Sequence, residues 1–422
     1  MSPGELLTLE VGAVAAGGVC VARHEERVVF VRHALPGEQV RAVVTEDAGR
    51  YLRADAVDVL APSPDRVVPP CPYAGPGRCG GCDWQHAALP AQRAFKAAVV
   101  AEQLRRGAGV EREVVVEPVP VPGHPDDGLA WRSRVQFAVD AAGGLGLRRH
   151  RSHEIQTVER CLIATAGVES VGAEQHRWDA AQVEVIAGSS EPGDRAVVVT
   201  PRGRRAPRLP DVAEDVSLLL SDAKGYTTSV RGRPGVREVV GEHTFWVGGS
   251  GFWQVHPAAA AVLSGAVLEA LDPQPGERAL DLYAGVGVFT AALAARVAPR
   301  GEVTAVESWP PAVADARQNV RSLAGVRVEE GRAAETLSRL GLGRVDVVVL
   351  DPPREGANER VLALLAGLAP RRICYVACEP ASLARDAATL HGHGYAVTGL
   401  RAFDLFPMTA HVECVALLEP GT

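Results

Sequence analysis

Over residues 1–62 apolar and polar positions change with the short period of β-strands, interrupted by turn residues. VVFVRHALPGEQVRAVV (28–44) has two β-rich runs joined by a Pro-Gly turn, and VGAVAAGGVCVA (11–22) places glycines where strands bend. This predicts a small barrel of about five strands, of the oligonucleotide-binding type. APSPDRVVPPCP (61–72) then reads as a linker, and after a cysteine cluster AQRAFKAAVVAEQLRRGAGV (91–110) repeats apolar residues at helical spacing. Between Trp131 and Val247 the strand pattern returns, as in VQFAVD, GLGLRRH, RAVVVT and HTFWVGG. From about Phe252 helices and apolar strands alternate: AAAAVLSGAVLEAL, RALDLYAG, VFTAALAARVA, EVTAVES, PAVADARQNVRSLAG, VRVEEG and VDVVVLDPP. Such alternation predicts a parallel sheet covered on both faces, with ligand at the carboxyl ends of its strands.

Composition narrows this picture. A chain of 422 residues, 47% apolar, holds two or three domains with real cores. No apolar run approaches the ~18 residues of a membrane span, and MSPGELLTLE lacks a signal-peptide pattern, so a cytoplasmic protein without membrane contact is expected. Eight cysteines in such a protein point to metal binding or catalysis before disulfides. The net charge of -7 excludes indiscriminate coating of nucleic acid but not local basic patches. Arginines cluster in WRSR (131–134), LRRHR (147–151) and PRGRRAPR (201–208). They suit either a solvated edge or a groove for RNA backbone, and spacing does not separate the two.

The turn Asp281-Leu282-Tyr283-Ala284-Gly285-Val286-Gly287 ends a strand and opens a helix, and Gly285 and Gly287 allow close backbone approach to a ligand. Glu307, ending the next strand, can accept hydrogen bonds from ribose hydroxyls. Both features also suit a dinucleotide. Asp281, however, is an unhelpful charge near a pyrophosphate and a helpful one for the cationic aminoacyl end of S-adenosyl-L-methionine. The third glycine of the dinucleotide pattern is also missing, which favours a methyltransferase. Asp351-Pro352-Pro353 follows the fourth strand of this domain. Arg354 stands where amino-group methyltransferases carry an aromatic residue, so a planar cation for a base carbonyl or phosphate replaces a stacking ring.

Cys378 lies between the strand RRICYVAC and a helix, where the helix dipole is expected to lower a thiol's pKa; Cys374 reads as a buried structural thiol. A thiolate is what methylation at carbon 5 of a uracil requires, since addition to carbon 6 activates carbon 5. Glu413, an acid in an otherwise apolar strand, is the candidate base for the carbon 5 proton. Asp386 reads as a surface or helix-stabilising residue. Cys71, Cys79 and Cys82 form C-x7-C-x2-C, with Cys161 far downstream. That set suits a [4Fe-4S] cluster or a zinc ion, with His86 as a further zinc candidate.

Taken jointly these segments resemble the bacterial RNA uridine-C5 methyltransferase family along the whole chain. GFWQVHP, DLYAGVGVFT, LDPPREG, ACEPASLARD and FPMTAHVE match its motifs. The resemblance implies S-adenosyl-L-methionine contacts from Gln254, Asp281, Tyr283, Gly285, Gly287, Glu307 and Asp351, and substrate contact from Arg354. It implies Cys378 as nucleophile and Glu413 as proton acceptor. It also implies a [4Fe-4S] cluster on Cys71, Cys79, Cys82 and Cys161, although the first gap is longer than in relatives. Val288 and Arg332 depart from the family pattern near the adenine end. The N-terminal module resembles a TRAM domain, and TRAM plus cysteines places 23S ribosomal RNA ahead of transfer RNA as substrate. The expected fold is multi-domain: an OB-like TRAM barrel (1–62), a β-rich RNA-binding and iron–sulfur domain (63–92 and 125–247), and a Rossmann-like α/β methyltransferase domain (93–124 and 248–422). A monomer is expected. An inactive RNA-binding relative and a methyltransferase for a different acceptor atom are the alternatives.

Overall fold

The computed structural model describes residues 2–190, 192–203 and 205–421. The N-terminal alternation does form strands: Leu6–Ala15 sends Leu7, Leu9 and Val11 inward while their neighbours face water. Leu6–Ala15, Val19–His24, Arg27–Arg32, Gln39–Asp47 and Tyr51–Ala61 close into a barrel. Closure comes from the last strand, which pairs parallel with Arg27–Arg32 and antiparallel with Gln39–Asp47. No edge is then left to template aggregation. Gly12 permits the tight crossing, because a Cβ there would stand 2.9 Å from the Val21 carbonyl oxygen.

The proline-rich segment expected as a linker is clamped to this barrel. Arg66 donates from Nε and Nη2 to the two oxygens of buried Glu38, at 2.5 and 2.7 Å, and its backbone bridges to Ala87. The pairing answers the high cost of burying Glu38 alone.

Seven strands between Arg134–Val139 and Thr227–Arg231 then form one sheet over a core that includes Trp131, Phe137, Val185 and Val197. The hairpin Gly235–Val240/His243–Gly248 leads out of it and seats on the last domain. There the Gly248 N–H donates to Asp315 Oδ2 and the Trp246 N–H to Asn319 Oδ1, each at 2.8 Å.

The C-terminal sheet has eight strands, in the order Val326–Glu330, Glu302–Glu307, Arg278–Leu282, Val347–Leu350, Arg372–Ala377, Glu413–Pro420, Tyr395–Asp404 and Val116–Pro118. The first five run parallel, as the alternation with helices predicts. Beyond them the sheet becomes mixed, where Glu413–Pro420 is antiparallel to both neighbours. It follows Tyr395–Asp404 without an intervening helix, and a short connection permits only antiparallel pairing. Val348 and Leu350 point into a core with Leu104, Leu362 and Leu383, while Val347 and Val349 point into another with Leu263 and Leu293. Burial on both faces explains why this strand is apolar throughout.

The helix Leu89–Ala108 comes early in the chain yet packs on the helix Pro380–Gly392. Gly107 makes room, since a Cβ there would lie 2.7 Å from the Ala384 Cβ. Its inner face carries Gln92, Lys96, Val100 and Leu104, spaced four apart. Among the described residues no helix is long and apolar enough to cross a membrane.

Candidate active site and cysteine recess

The strand Arg278–Leu282 ends in a turn with positive φ at Tyr283 (62°), Gly285 (54°) and Gly287 (92°), and Gly287 caps the helix Val288–Val297. The Gly285 N–H donates to Glu307 Oε2 at 3.0 Å. The other oxygen of Glu307 accepts from the N–H groups of Ser308 and Trp309 at 2.6 and 2.7 Å, so this carboxylate is fixed at the strand end. Asp281 is fully buried: Oδ2 accepts from the Thr290 hydroxyl at 2.5 Å, and Oδ1 has no protein partner. Burial, and after it the charges of Asp351 and Glu307, pushes the Asp281 carboxyl up to about 7.

A cleft of about 1490 Å³ opens over these strand ends. Gln254, Tyr283, Gly285, Glu307, Asp351, Arg354, Cys378 and Glu413 all line it, whereas Asp281 and Gly287 do not. Arg332, expected near the adenine end, lines it too, as do Phe252, Arg360 and Arg385, for which no role is read from the sequence. Gln254 reaches the cleft on a segment gripped by the central sheet. The Ser133 N–H and hydroxyl both donate to the Val255 carbonyl, at 2.8 and 2.9 Å, and Arg134 Nη1 donates to that of Gly251 at 2.8 Å.

The Asp351-Pro352-Pro353-Arg354 loop is strapped to the helix Pro380–Gly392. The Ser382 hydroxyl donates to the Arg354 carbonyl at 2.5 Å. Asp386 Oδ2 accepts from the Ala357 N–H and the Tyr375 hydroxyl, both at 2.6 Å, and its Oδ1 accepts from Arg385. Asp386 is therefore buried and not a surface residue; Oδ2 is held by a loop and a strand outside its own helix. Gly356, at φ 84°, is needed at this contact, since a Cβ would stand 2.5 Å from Asp386 Oδ2.

Cys378 lies after the strand Arg372–Ala377, with Glu379 capping the helix that follows. The expected depression of its pKa is not found. Burial, then the carboxyls of Glu413 and Asp351, push the thiol up to about 11, and Arg354 pulls the other way. A helix terminus offers roughly half a positive charge, and here the helix begins beyond Glu379, so burial and two acids outweigh it. Glu413 is the first residue of its strand rather than an interior one, and is 2% exposed. Burial and the charge of Asp351 hold its carboxyl well above the usual range. Asp351 itself is pushed up to about 7 by burial. Cys374 is fully buried, as its apolar strand predicts.

Cys71, Cys79, Cys82 and Cys161 line one small recess walled by Leu147, Val158 and Ile163. Burial pushes the Cys161 thiol up to about 11 and raises Cys79 and Cys82 as well, and the mutual effect of these thiols adds to it. Among the described residues no group of three or more His, Cys, Asp or Glu side chains is arranged to hold a metal ion. Four thiols facing one recess are donors of the kind a thiolate-bound metal group takes. His86 is buried and lines, with His33, a cavity of about 260 Å³ that shares Cys82 and Gln85 with the recess.

The arginine clusters divide. Arg134 is buried and braces the Gln254 segment, and Arg202 ties backbone carbonyls at Val139 and Ala180. Arg132 alone of the WRSR arginines lines the cleft, and it lines the recess too. Arg204 of the third cluster lies outside the described residues.

A family model described as tRNA (Uracil-5-)-methyltransferase matches residues 249–420, and one described as TRAM domain matches residues 2–57. An uncharacterized RNA methyltransferase of Streptomyces coelicolor is 52% identical to this chain, covering 99% of it and 93% of the relative. A 23S rRNA (uracil(1939)-C(5))-methyltransferase of Alkalilimnicola ehrlichii is 34% identical, covering 99% of this chain and 97% of that one. The crystal structure of a Pyrococcus abyssi tRNA (uracil-54, C5)-methyltransferase in complex with S-adenosyl-L-homocysteine shares the fold. Its TM-score is 0.70 and its identity 23%, with 97% of this chain and 99% of that one covered. With the barrel, the cleft and these relatives together, the chain belongs to the S-adenosylmethionine-dependent RNA uracil-C5 methyltransferases.

Proposed function

We propose that this protein forms 5-methyluridine in RNA, with 23S ribosomal RNA ahead of transfer RNA as substrate, through a covalent bond between Cys378 and carbon 6 of the uracil. The observation that carries this is convergence: Gln254, the Asp351–Arg354 loop, Cys378 and Glu413 come from four separate segments and line one cleft. S-adenosyl-L-methionine supplies a methyl group on a sulfonium. Residues for it are at hand, with the Glu307 carboxylate fixed beside the glycine turn and Gln254, Tyr283, Gly285 and Asp351 lining the same cleft.

Carbon 5 of uracil is a weak nucleophile. Bond formation between Cys378 Sγ and carbon 6 moves the double-bond electrons toward carbon 5, which would then take the methyl as its bond to the sulfonium breaks and leaves a neutral thioether. Glu413 next removes the carbon 5 proton, the double bond re-forms and the carbon 6–sulfur bond breaks, returning the thiolate. Cys378 must first lose its proton to solvent. Positive charge near the thiol favours that loss; Arg354 already acts in this direction, and a bound cation strengthens it. The target base has to leave its stack to reach Cys378, as carbon 6 is shielded within a helix.

The recess is assigned to a [4Fe-4S] cluster on Cys71, Cys79, Cys82 and Cys161, with a structural part and a part in RNA contact and none in methyl transfer. In the division of labour, residues 1–62 capture RNA, residues 63–92 and 125–247 widen the contact, and residues 93–124 and 248–422 do the chemistry. The protein acts as a monomer in the cytoplasm, where its RNA is.

The test incubates the protein with a methyl-tritiated donor and separately purified 23S ribosomal and transfer RNA from a strain lacking it. Nuclease digestion and chromatography then identify the labelled nucleoside. Label in 5-methyluridine from 23S RNA is expected. Label in transfer RNA overturns the substrate assignment, and label in another nucleoside overturns the carbon 5 chemistry.

A further inference from the structure

The chain between Asp404 and Glu413 forms a loop over the cleft, and Phe406, Thr409, His411 and Glu413 line that cleft. The loop is held mainly from outside its own domain. Met408, at φ 66°, adopts a backbone conformation unfavourable for a side-chain-bearing residue. Its carbonyl accepts from the N–H groups of Asp83 and Trp84 at 2.9 and 3.0 Å, and its own N–H donates to Gln92 Oε1 at 2.8 Å. Lys96, buried in the same helix as Gln92, donates to Asp404 Oδ1 at 2.5 Å and to the Phe406 carbonyl at 3.0 Å. Two residues beyond Met408, the Ala410 N–H donates to Asp83 Oδ2 at 3.0 Å.

Asp83 directly follows Cys82, so one residue joins the cysteine recess to the catalytic loop. The barrel closes the junction. A Cβ on Gly18 would stand 2.8 Å from the Asp83 Cβ and 3.1 Å from the Ala410 Cβ, and the Gly18 carbonyl accepts from the Trp84 indole N–H at 3.2 Å. The Lys96 contacts at Asp404 and Phe406 and the backbone grips at Met408 hold the loop no further than Met408, and Glu413 pairs with Phe403 where the strand begins. The side chain of Asp83 adds a second point, two residues nearer Glu413, and two points set a direction.

We propose that Asp83 is a positioning residue for Glu413: by holding the Ala410 N–H it aims the loop, so that the cysteine-bearing segment governs the second half of the reaction, removal of the carbon 5 proton and release of the enzyme. This rests on the reading of Glu413 as the base. The methyl-transfer half depends on Cys378, Gln254 and the donor site, none of which Asp83 holds. Loss of the Asp83 carboxylate should therefore slow release selectively.

The experiment uses the full chain, S-adenosyl-L-methionine and total RNA tritiated at uridine carbon 5, taken from a strain lacking the protein. Single-turnover runs follow methyl incorporation, tritium release to water and covalent protein–RNA complex on a denaturing gel. Asp83→Ala is expected to slow tritium release tenfold or more, to leave methyl incorporation within about threefold, and to accumulate complex. Asp83→Asn, whose amide oxygen can still accept from Ala410, restores release. If Asp83→Ala proves insoluble, Asp83→Ser, with a shorter reach, carries the same test. Equal slowing of both steps, unchanged release, or failure of Asp83→Asn to rescue overturns the proposal. Glu413→Gln run alongside keeps the two ideas apart. If it accumulates no complex, the base assignment fails; if it does and Asp83→Ala does not, only the role of Asp83 fails.

Discussion

Cys378, Cys82 and Cys161 all have thiols raised by burial, but their neighbours differ in kind. Around Cys378 stand two carboxyls and a guanidinium, Glu413, Asp351 and Arg354, in a cleft wide enough for a nucleotide and a donor. Around Cys82 and Cys161 stand other cysteines and apolar walls, in a recess too small for either. A thiol surrounded by groups that change charge can be switched on by what binds beside it. A thiol surrounded by thiols is suited to sharing a bound group. Burial alone does not separate a nucleophile from a ligand; the chemistry of the neighbours does.

The contrast can be broken from the catalytic side first. Glu413→Gln should keep methyl transfer but lower turnover by roughly 10²–10⁴-fold, with a protein–RNA complex that survives denaturation. Normal turnover in this variant would move the base elsewhere. On the recess side, Cys82→Ser should lose bound iron and drop the melting temperature by about 5–10 °C, while Cys378 still reacts with iodoacetamide. Metal analysis of the anaerobically purified protein checks the premise, and a preparation with zinc in place of iron contradicts the cluster. The smallest effect belongs to Asp281. Its folded pKa is raised from 3.8 to about 7, so folding favours the protonated form. The stability it contributes is complete below the unfolded value and lost as pH rises through the folded one. Asp281→Asn should therefore raise the melting temperature at pH 8 by roughly 2–4 °C, change it little at pH 4, and weaken donor binding. A melting gain independent of pH would contradict the raised pKa.

Much of this was legible in the sequence because short-range physics carried it. Val347–Leu350 is an apolar run followed by Asp351 and two prolines, and the strand-end position of Asp351 follows from that alone. The eight cleft residues read from motifs do meet in space. What was hidden depended on distant partners. Asp386 reads as an ordinary helix surface residue until Ala357 and Tyr375 are seen to close on it. The direction of the Cys378 shift reverses because the fold buries the thiol and brings the Glu413 and Asp351 carboxyls to it from elsewhere in the sheet. One signal was available and unused: Gln92 and Lys96 share the four-residue spacing of Val100 and Leu104, so polar groups on a buried face already pointed to partners across the fold. Asp83 offered no such signal, since its value lies in where Ala410 falls.

The central claim, covalent catalysis by Cys378, is tested most directly with RNA containing 5-fluorouridine, mixed with the protein and S-adenosyl-L-methionine and run on a denaturing gel. Fluorine at carbon 5 cannot leave as a proton, so the reaction should stall as a protein–RNA band that is absent in Cys378→Ala. A band of equal strength in Cys378→Ala, or no band from protein that binds donor and RNA normally, would contradict it.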